Sequence, residues 1–109
     1  MKICNKLVRD NIPDICLKSG QIPNTHILDD EAYGRELRKK LVEEVNEYLD
    51  SGETEELADI AEVIDALSVL GGASFEKVIE IKNKKAETNG KFEKRIFLET
   101  VELSEKDME

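Results

Sequence analysis

Between Leu41 and Asp65 the chain carries Glu43, Glu44, Glu47, Asp50, Glu53, Glu55, Glu56, Asp59, Glu62 and Asp65 without a single Lys or Arg. Threaded through these acids are Leu41, Val45, Tyr48 and Leu49, then Leu57, Ile60, Val63, Ile64 and Leu67, at the spacing of a helix. A polar tract with no apolar face stays unfolded, whereas this one has surface to bury. Folding therefore brings carboxylates together. Packed carboxylates repel unless one is protonated, a base neutralises them, or a hard cation such as Mg²⁺ or Ca²⁺ binds. A bound cation is the expectation.

Composition narrows the fold. Aromatic residues make up 5% of the chain and charged residues 38%, a balance of helical, solvent-rich proteins rather than of sheets. With 109 residues there is one domain's worth of chain and a marginal core, which association with further copies would enlarge. A net charge of −9 argues against coating a nucleic acid polymer, but leaves room for small anions at a local basic patch. No apolar run is long enough to span a bilayer, and the start MKICNKLVRD lacks an apolar signal region, so the expected location is cytoplasmic with no membrane partner. Cys4 and Cys16 are too few and too far apart for a zinc site and are expected to be structural thiols.

Along the chain, Asn11-Ile12-Pro13 marks the start of a short helix that ends by Gly20. Gln21 to Leu28 is an extended connection, and Asp29-Asp30 caps a long helix from about Glu31 to Leu49. After the turn Asp50-Ser51-Gly52-Glu53, Thr54 is placed to cap a second helix running to Leu70, before Gly71-Gly72. Ser74 caps a third, with Phe75, Val78, Ile79 and Ala86 on its apolar side, ending near Asn89-Gly90. Arg95 to Leu103 alternates in part like a strand, and the final SEKDME is polar. The expected fold is thus all-α: a helical bundle built on an antiparallel helix hairpin plus a third long helix, completed by oligomerisation, with short extended termini. Residues 1–99 are expected to form a single domain and residues 100–109 a frayed polar tail.

Register sharpens the metal expectation. A turn centred between Ser51 and Gly52 sets side by side those residues whose numbers sum to 103, so Glu47 faces Glu56 and Glu44 faces Asp59. Within each helix the pair is spaced i, i+3 and shares a face. Glu44 and Asp59 border the apolar stripe on a wheel of roughly 100° per residue, whereas Glu43 should lie on the far side in water. Glu62 and Asp65 repeat the same spacing about 9 Å further along the helix and would reach an outer shell at most. In a chain with 25 acids, an acid three places after another occurs by chance roughly one time in four, so the spacing alone says little and the matched register says more.

Basic residues are segregated. Lys82, Lys84, Lys85, Lys91, Lys94 and Arg95 outnumber Glu87 and Glu93, and Lys6 and Arg9 form a second basic spot. Carboxylates for a cation flanked by basic arms suit a metal-bound di- or triphosphate, although any one surface Lys is ordinarily there for solubility.

Glu43 to Glu47 (EEVNE) followed by Glu56 to Asp59 (ELAD), a Gly break and a Lys-bearing third helix resemble the E-E-x-x-E and E-x-x-D signature of the MazG-like all-α nucleoside triphosphate pyrophosphatases. Asn5 to Asp10 (NKLVRD) with Ile12-Pro13, Leu28-Asp29-Asp30, and Phe92 to Arg95 (FEKR) resemble that superfamily's small single-domain branch of predicted house-cleaning enzymes for non-canonical nucleotides. The resemblance covers the chain up to about Glu99. It implies hydrolysis of a nucleoside triphosphate to a monophosphate and pyrophosphate with Mg²⁺, for which Mn²⁺ could substitute. It also implies metal ligation at Glu44, Glu47, Glu56 and Asp59, and a site completed in a homodimer or homotetramer. The interval between the two motifs is shorter than in many members, which keeps Glu62 and Asp65 in view as a second pair.

The expected mechanism is attack by water activated on the cation, which also neutralises charge on the phosphate oxygens. No covalent nucleophile is persuasive: Cys4 and Cys16 lack a partner, and the one histidine, His26, falls in a loop-like segment. Glu62 or Glu43 is a candidate outer-shell base, and Lys6, Arg9, Lys82, Lys85, Lys94 and Arg95 are candidate phosphate contacts. Two alternatives stand beside this one. Phosphoribosyl-ATP pyrophosphohydrolase shares the implied bundle and carboxylate motif, and a non-catalytic acidic helical protein would use the Leu41 to Asp65 tract for a basic partner. An EF-hand sensor is disfavoured, because no D-x-D-x-D-G loop occurs.

Overall fold

A computed structural model describes residues 1–104. Among them are four helices and no strand: α1 (Ile12–Lys18), α2 (Asp30–Ser51), α3 (Thr54–Leu70) and α4 (Phe75–Asn89). The class is all-α. By internal contacts the chain groups into two compact units, Met1–Val78 and Ile79–Glu109.

Local chemistry accounts for the helix ends. The Asp29 carboxylate accepts a 2.8 Å hydrogen bond from the Ala32 N–H, satisfying one of the unpaired donors that open α2. Its C-terminus is closed by Gly52, at φ +68°, whose N–H donates to the Tyr48 carbonyl at 2.7 Å. That left-handed conformation is strained for any residue with a Cβ. Thr54 does not cap α3: it is the first helical residue, and Glu53 occupies the cap position with no side-chain bond. The reason is the short turn, in which the Ser51 hydroxyl accepts from the Glu53 N–H at 3.1 Å and leaves no residue to spare before the helix. The Ser74 hydroxyl accepts from the Lys77 N–H at 3.1 Å at the start of α4. Asn11 holds the cap position of α1 without a side-chain bond, with Pro13 in the first turn.

In the first unit, α2 and α3 pack against each other. Gly34 allows their close approach near one end, since a Cβ there would lie 3.2 Å from Leu70 Cδ2. Leu37 of α2 and Val63 of α3 are the buried apolar side chains of the described residues. Several residues of the apolar stripe stay in solvent, among them Val45, Leu49 and Leu57, together with Val42. Burial is therefore far smaller than the apolar content of the two helices would allow.

The second unit holds α4 from Ile79 onward and the segment after it. The strand-like alternation from Arg95 to Leu103 forms no strand, and residues 96–104 carry no regular structure. A single extended segment has no ladder partner, and alternation alone cannot supply one. Of the tail, residues 100–104 are exposed, and the remainder lies outside the described residues. No helix of the described residues is long and apolar enough to cross a membrane.

Candidate metal centre

Carboxylate oxygens of Glu44, Glu56 and Asp59 lie within 4.8 Å of one another, so α2 contributes one donor and successive turns of α3 two. A second group joins Glu43, Glu44 and Glu47 under the same limit, and Glu44 belongs to both. Glu47 is exposed and stands with its own helix rather than with Glu56. Neither Glu62 nor Asp65 enters these groups.

Glu44 is the buried member, only 7% exposed. Burial pushes its carboxyl above the ordinary carboxylate range, a hydrogen bond and the charge of Glu47 add to the rise, and Lys40 acts in the opposite sense. The Lys40 ammonium lies 3.3 Å from Glu44 Oε1 and 3.4 Å from Glu43 Oε1. Partial burial works to lower the Lys40 pKa, but its bond to Glu44 and the charges of Glu43 and Glu44 outweigh this and hold it above the usual lysine value. The contact explains why Glu43 is half-buried rather than in open water: Lys40, one turn earlier, draws it toward Glu44. Lys40 is a residue of the site that the acidic tract does not include. Its i, i+3 and i, i+4 spacing to the two glutamates is the signal that marks it.

Arg9 arrives from outside the helical pair. Its Nη2 donates a 2.7 Å bond to Asp59 Oδ1. A cleft of about 530 Å³ runs beside these groups, bordered by Arg9, Lys40, Glu44, Asp59 and Glu62 and floored by Leu37 and Val63. It adjoins a recess of about 270 Å³ that adds Lys6 and Glu47. The larger volume lies in the range of roughly 300–1,000 Å³ common for small-molecule sites. Lys6 and Arg9 thus share a cavity with the acids, while Lys82, Lys85, Lys94 and Arg95 are exposed residues of the other unit.

The donor set fits a hard divalent cation. Three carboxylates within one ion's reach supply oxygen only, the chemistry that suits Mg²⁺, Mn²⁺ or Ca²⁺ rather than a thiophilic metal. Cys4 is exposed and Cys16 half-buried, both as free thiols. No family model, curated protein or solved structure matches the chain.

Proposed function

We propose that the chain is a Mg²⁺-dependent nucleoside triphosphate pyrophosphohydrolase that converts non-standard nucleotides to monophosphate and pyrophosphate. The observation that carries this reading is the convergence of Glu44, Glu56 and Asp59, two of which, Glu44 and Asp59, border a recess that Lys6, Arg9, Lys40 and Glu47 also line. Carboxylates select the cation, and the three basic side chains select what must accompany it, an anion with several charged oxygens.

Glu44, Glu56 and Asp59 would hold Mg²⁺, with Glu47 one turn from Glu44 on the same helix. When bound, the ion supplies Lewis acidity toward phosphoryl oxygens and a lowered pKa for water. Lys6 and Arg9 orient the phosphates, and Leu37 and Val63 exclude water from the cleft floor. Glu62, which borders the same cleft as Asp59, would take a proton from the attacking water.

The resemblance to the MazG-like superfamily supports the same reaction, and an antiparallel hairpin of the packed α2 and α3 would be the framework it uses. Among the described residues two buried apolar side chains make a small core, and Val42, Val45 and Leu49 lie exposed at i, i+3 and i+7 on one face of α2. A second copy covering that face would complete the bundle. Leu49→Glu is expected to shift the protein to monomer in sedimentation, and an unchanged mass would remove this face from the assembly.

The deciding experiment measures Mg²⁺-dependent turnover of standard, deoxy and damaged nucleoside triphosphates, with pyrophosphate and orthophosphate quantified separately for wild type and Glu56→Gln. Pyrophosphate release that requires Mg²⁺ and fails in the variant supports the proposal. Absence of turnover by folded protein on every nucleotide, phosphoribosyl-ATP included, would sink it and favour a binding role for the acidic tract.

A further inference from the structure

Arg9 and Asp59 are fifty positions apart in sequence, and their bond ties the segment before α1 to the carboxylates of α3. We propose that Arg9 is an exchangeable counter-ion: it neutralises Asp59 in the cation-free protein, and when a divalent cation takes that carboxylate the guanidinium passes to the phosphate that arrives with the cation. This rests on the metal-centre reading given above and adds an order of events to it.

Competition at Asp59 is the first ground. The oxygen that Arg9 holds at 2.7 Å belongs to a carboxylate whose other neighbours are Glu44 and Glu56. A cation drawn by those three acids meets a guanidinium already on one of them, and two positive centres on one carboxylate repel. Freedom to move is the second. Arg9 lies outside any helix and its side chain is 58% exposed, against 40% for Asp59, so it can leave without unpacking a core. Lys40 differs in both respects: it is held by two carboxylates of its own helix and is only 21% exposed. Lys40 is the fixed charge of the site and Arg9 the movable one.

Destination is the third ground. Arg9 borders the recess together with Lys6 and Lys40, and a guanidinium presents paired N–H donors that match two phosphate oxygens. Arg9 therefore opposes binding of the bare cation but favours binding of the cation with its phosphate. By linkage, the residue that does both carries positive coupling between the two ligands. Because the pair is substantially exposed, the effect on the bare cation is modest, about two- to five-fold.

The test compares binding of Mn²⁺ alone with binding of the preformed Mn²⁺–pyrophosphate complex, by calorimetry at constant ionic strength, in wild type, Arg9→Gln and Arg9→Lys. Arg9→Gln is expected to bind Mn²⁺ alone about two- to five-fold more tightly and the complex about ten-fold more weakly. Arg9→Lys should keep the wild-type affinity for Mn²⁺ while losing part of the affinity for the complex. Circular dichroism and urea midpoints verify that each variant is folded. Should Arg9→Gln bind Mn²⁺ no more tightly than wild type, or retain full affinity for the complex, the exchange is overturned while the metal site stands. If neither wild type nor Arg9→Gln binds Mn²⁺ in either form, the metal-centre reading fails and this inference fails with it.

Discussion

Two E-x-x-D pairs lie on α3, Glu56/Asp59 and Glu62/Asp65, identical in type and spacing and about 9 Å apart along the axis. Only the first joins a cluster. Glu56 and Asp59 meet Glu44 across the helix interface and Asp59 meets Arg9, whereas Glu62 reaches the cleft wall and Asp65 does not border it. Spacing within a helix decides which side chains share a face, but the neighbouring helix decides which face has company. The pair at register with Glu44 is drawn into a common electrostatic environment, and its repeat six residues later is not.

The largest expected effect tests that difference directly. Glu56→Gln or Asp59→Asn should weaken Mn²⁺ binding about 100-fold or more, since losing an inner ligand costs at least what losing its supporting contacts does. Glu62→Gln should change Mn²⁺ affinity by less than about three-fold, yet slow pyrophosphate release as the loss of a proton acceptor. Asp65→Asn should leave both unchanged. Equal losses of Mn²⁺ affinity from the two pairs, measured by calorimetry, would erase the distinction between them.

Next in size is the cost of stranding a buried charge. Lys40→Met removes the ammonium from Glu44 and Glu43 while keeping the aliphatic stem. The 7%-exposed Glu44 carboxylate then lacks its counter-ion, and the expected loss in urea unfolding at neutral pH is about 1–3 kcal/mol. The corresponding change at Arg9, where the pair is largely in water, should stay within about 1 kcal/mol. A Lys40→Met variant as stable as Arg9→Gln would mean that Glu44 is better solvated than its exposure indicates.

Much of this arrangement could be read from the chain before folding. The α3 end at Leu70 follows from the paired glycines and its start from the turn, to within the one residue by which Thr54 is helical rather than the cap, and the approach of Glu44 to Asp59 follows from counting residues across a short turn. What the sequence could not show came from contacts without periodicity. Arg9 meets Asp59 through a non-helical segment. Lys40 is different: its helical spacing to Glu43 and Glu44 is periodic, but it lies one residue before the acidic tract and carries the opposite charge. The strand-like alternation near Arg95 misled for the complementary reason, since pairing in a sheet needs a partner that no local pattern reveals.

The smallest effect concerns Glu44 itself. Its pKa in the folded protein lies above the ordinary value of 4.5, through burial first and then through Glu47. A carboxyl raised on folding favours the native state while protonated, so its contribution is fully present below pH 4.5 and is lost as pH rises through the folded value. Glu44→Gln removes that dependence. In EDTA the variant should gain on wild type as pH goes from about 4 to 7, and by less than Lys40→Met loses, because Lys40 offsets part of the burial cost. Saturating Mn²⁺ should reverse the order at pH 7, since a ligand that binds only the folded wild type adds stability the variant cannot gain. The pair of measurements sharpens the contrast between the two motifs. An acid held at a cost without the ion and repaid with it belongs to a site, whereas Asp65→Asn should show neither the pH-dependent gain nor the reversal.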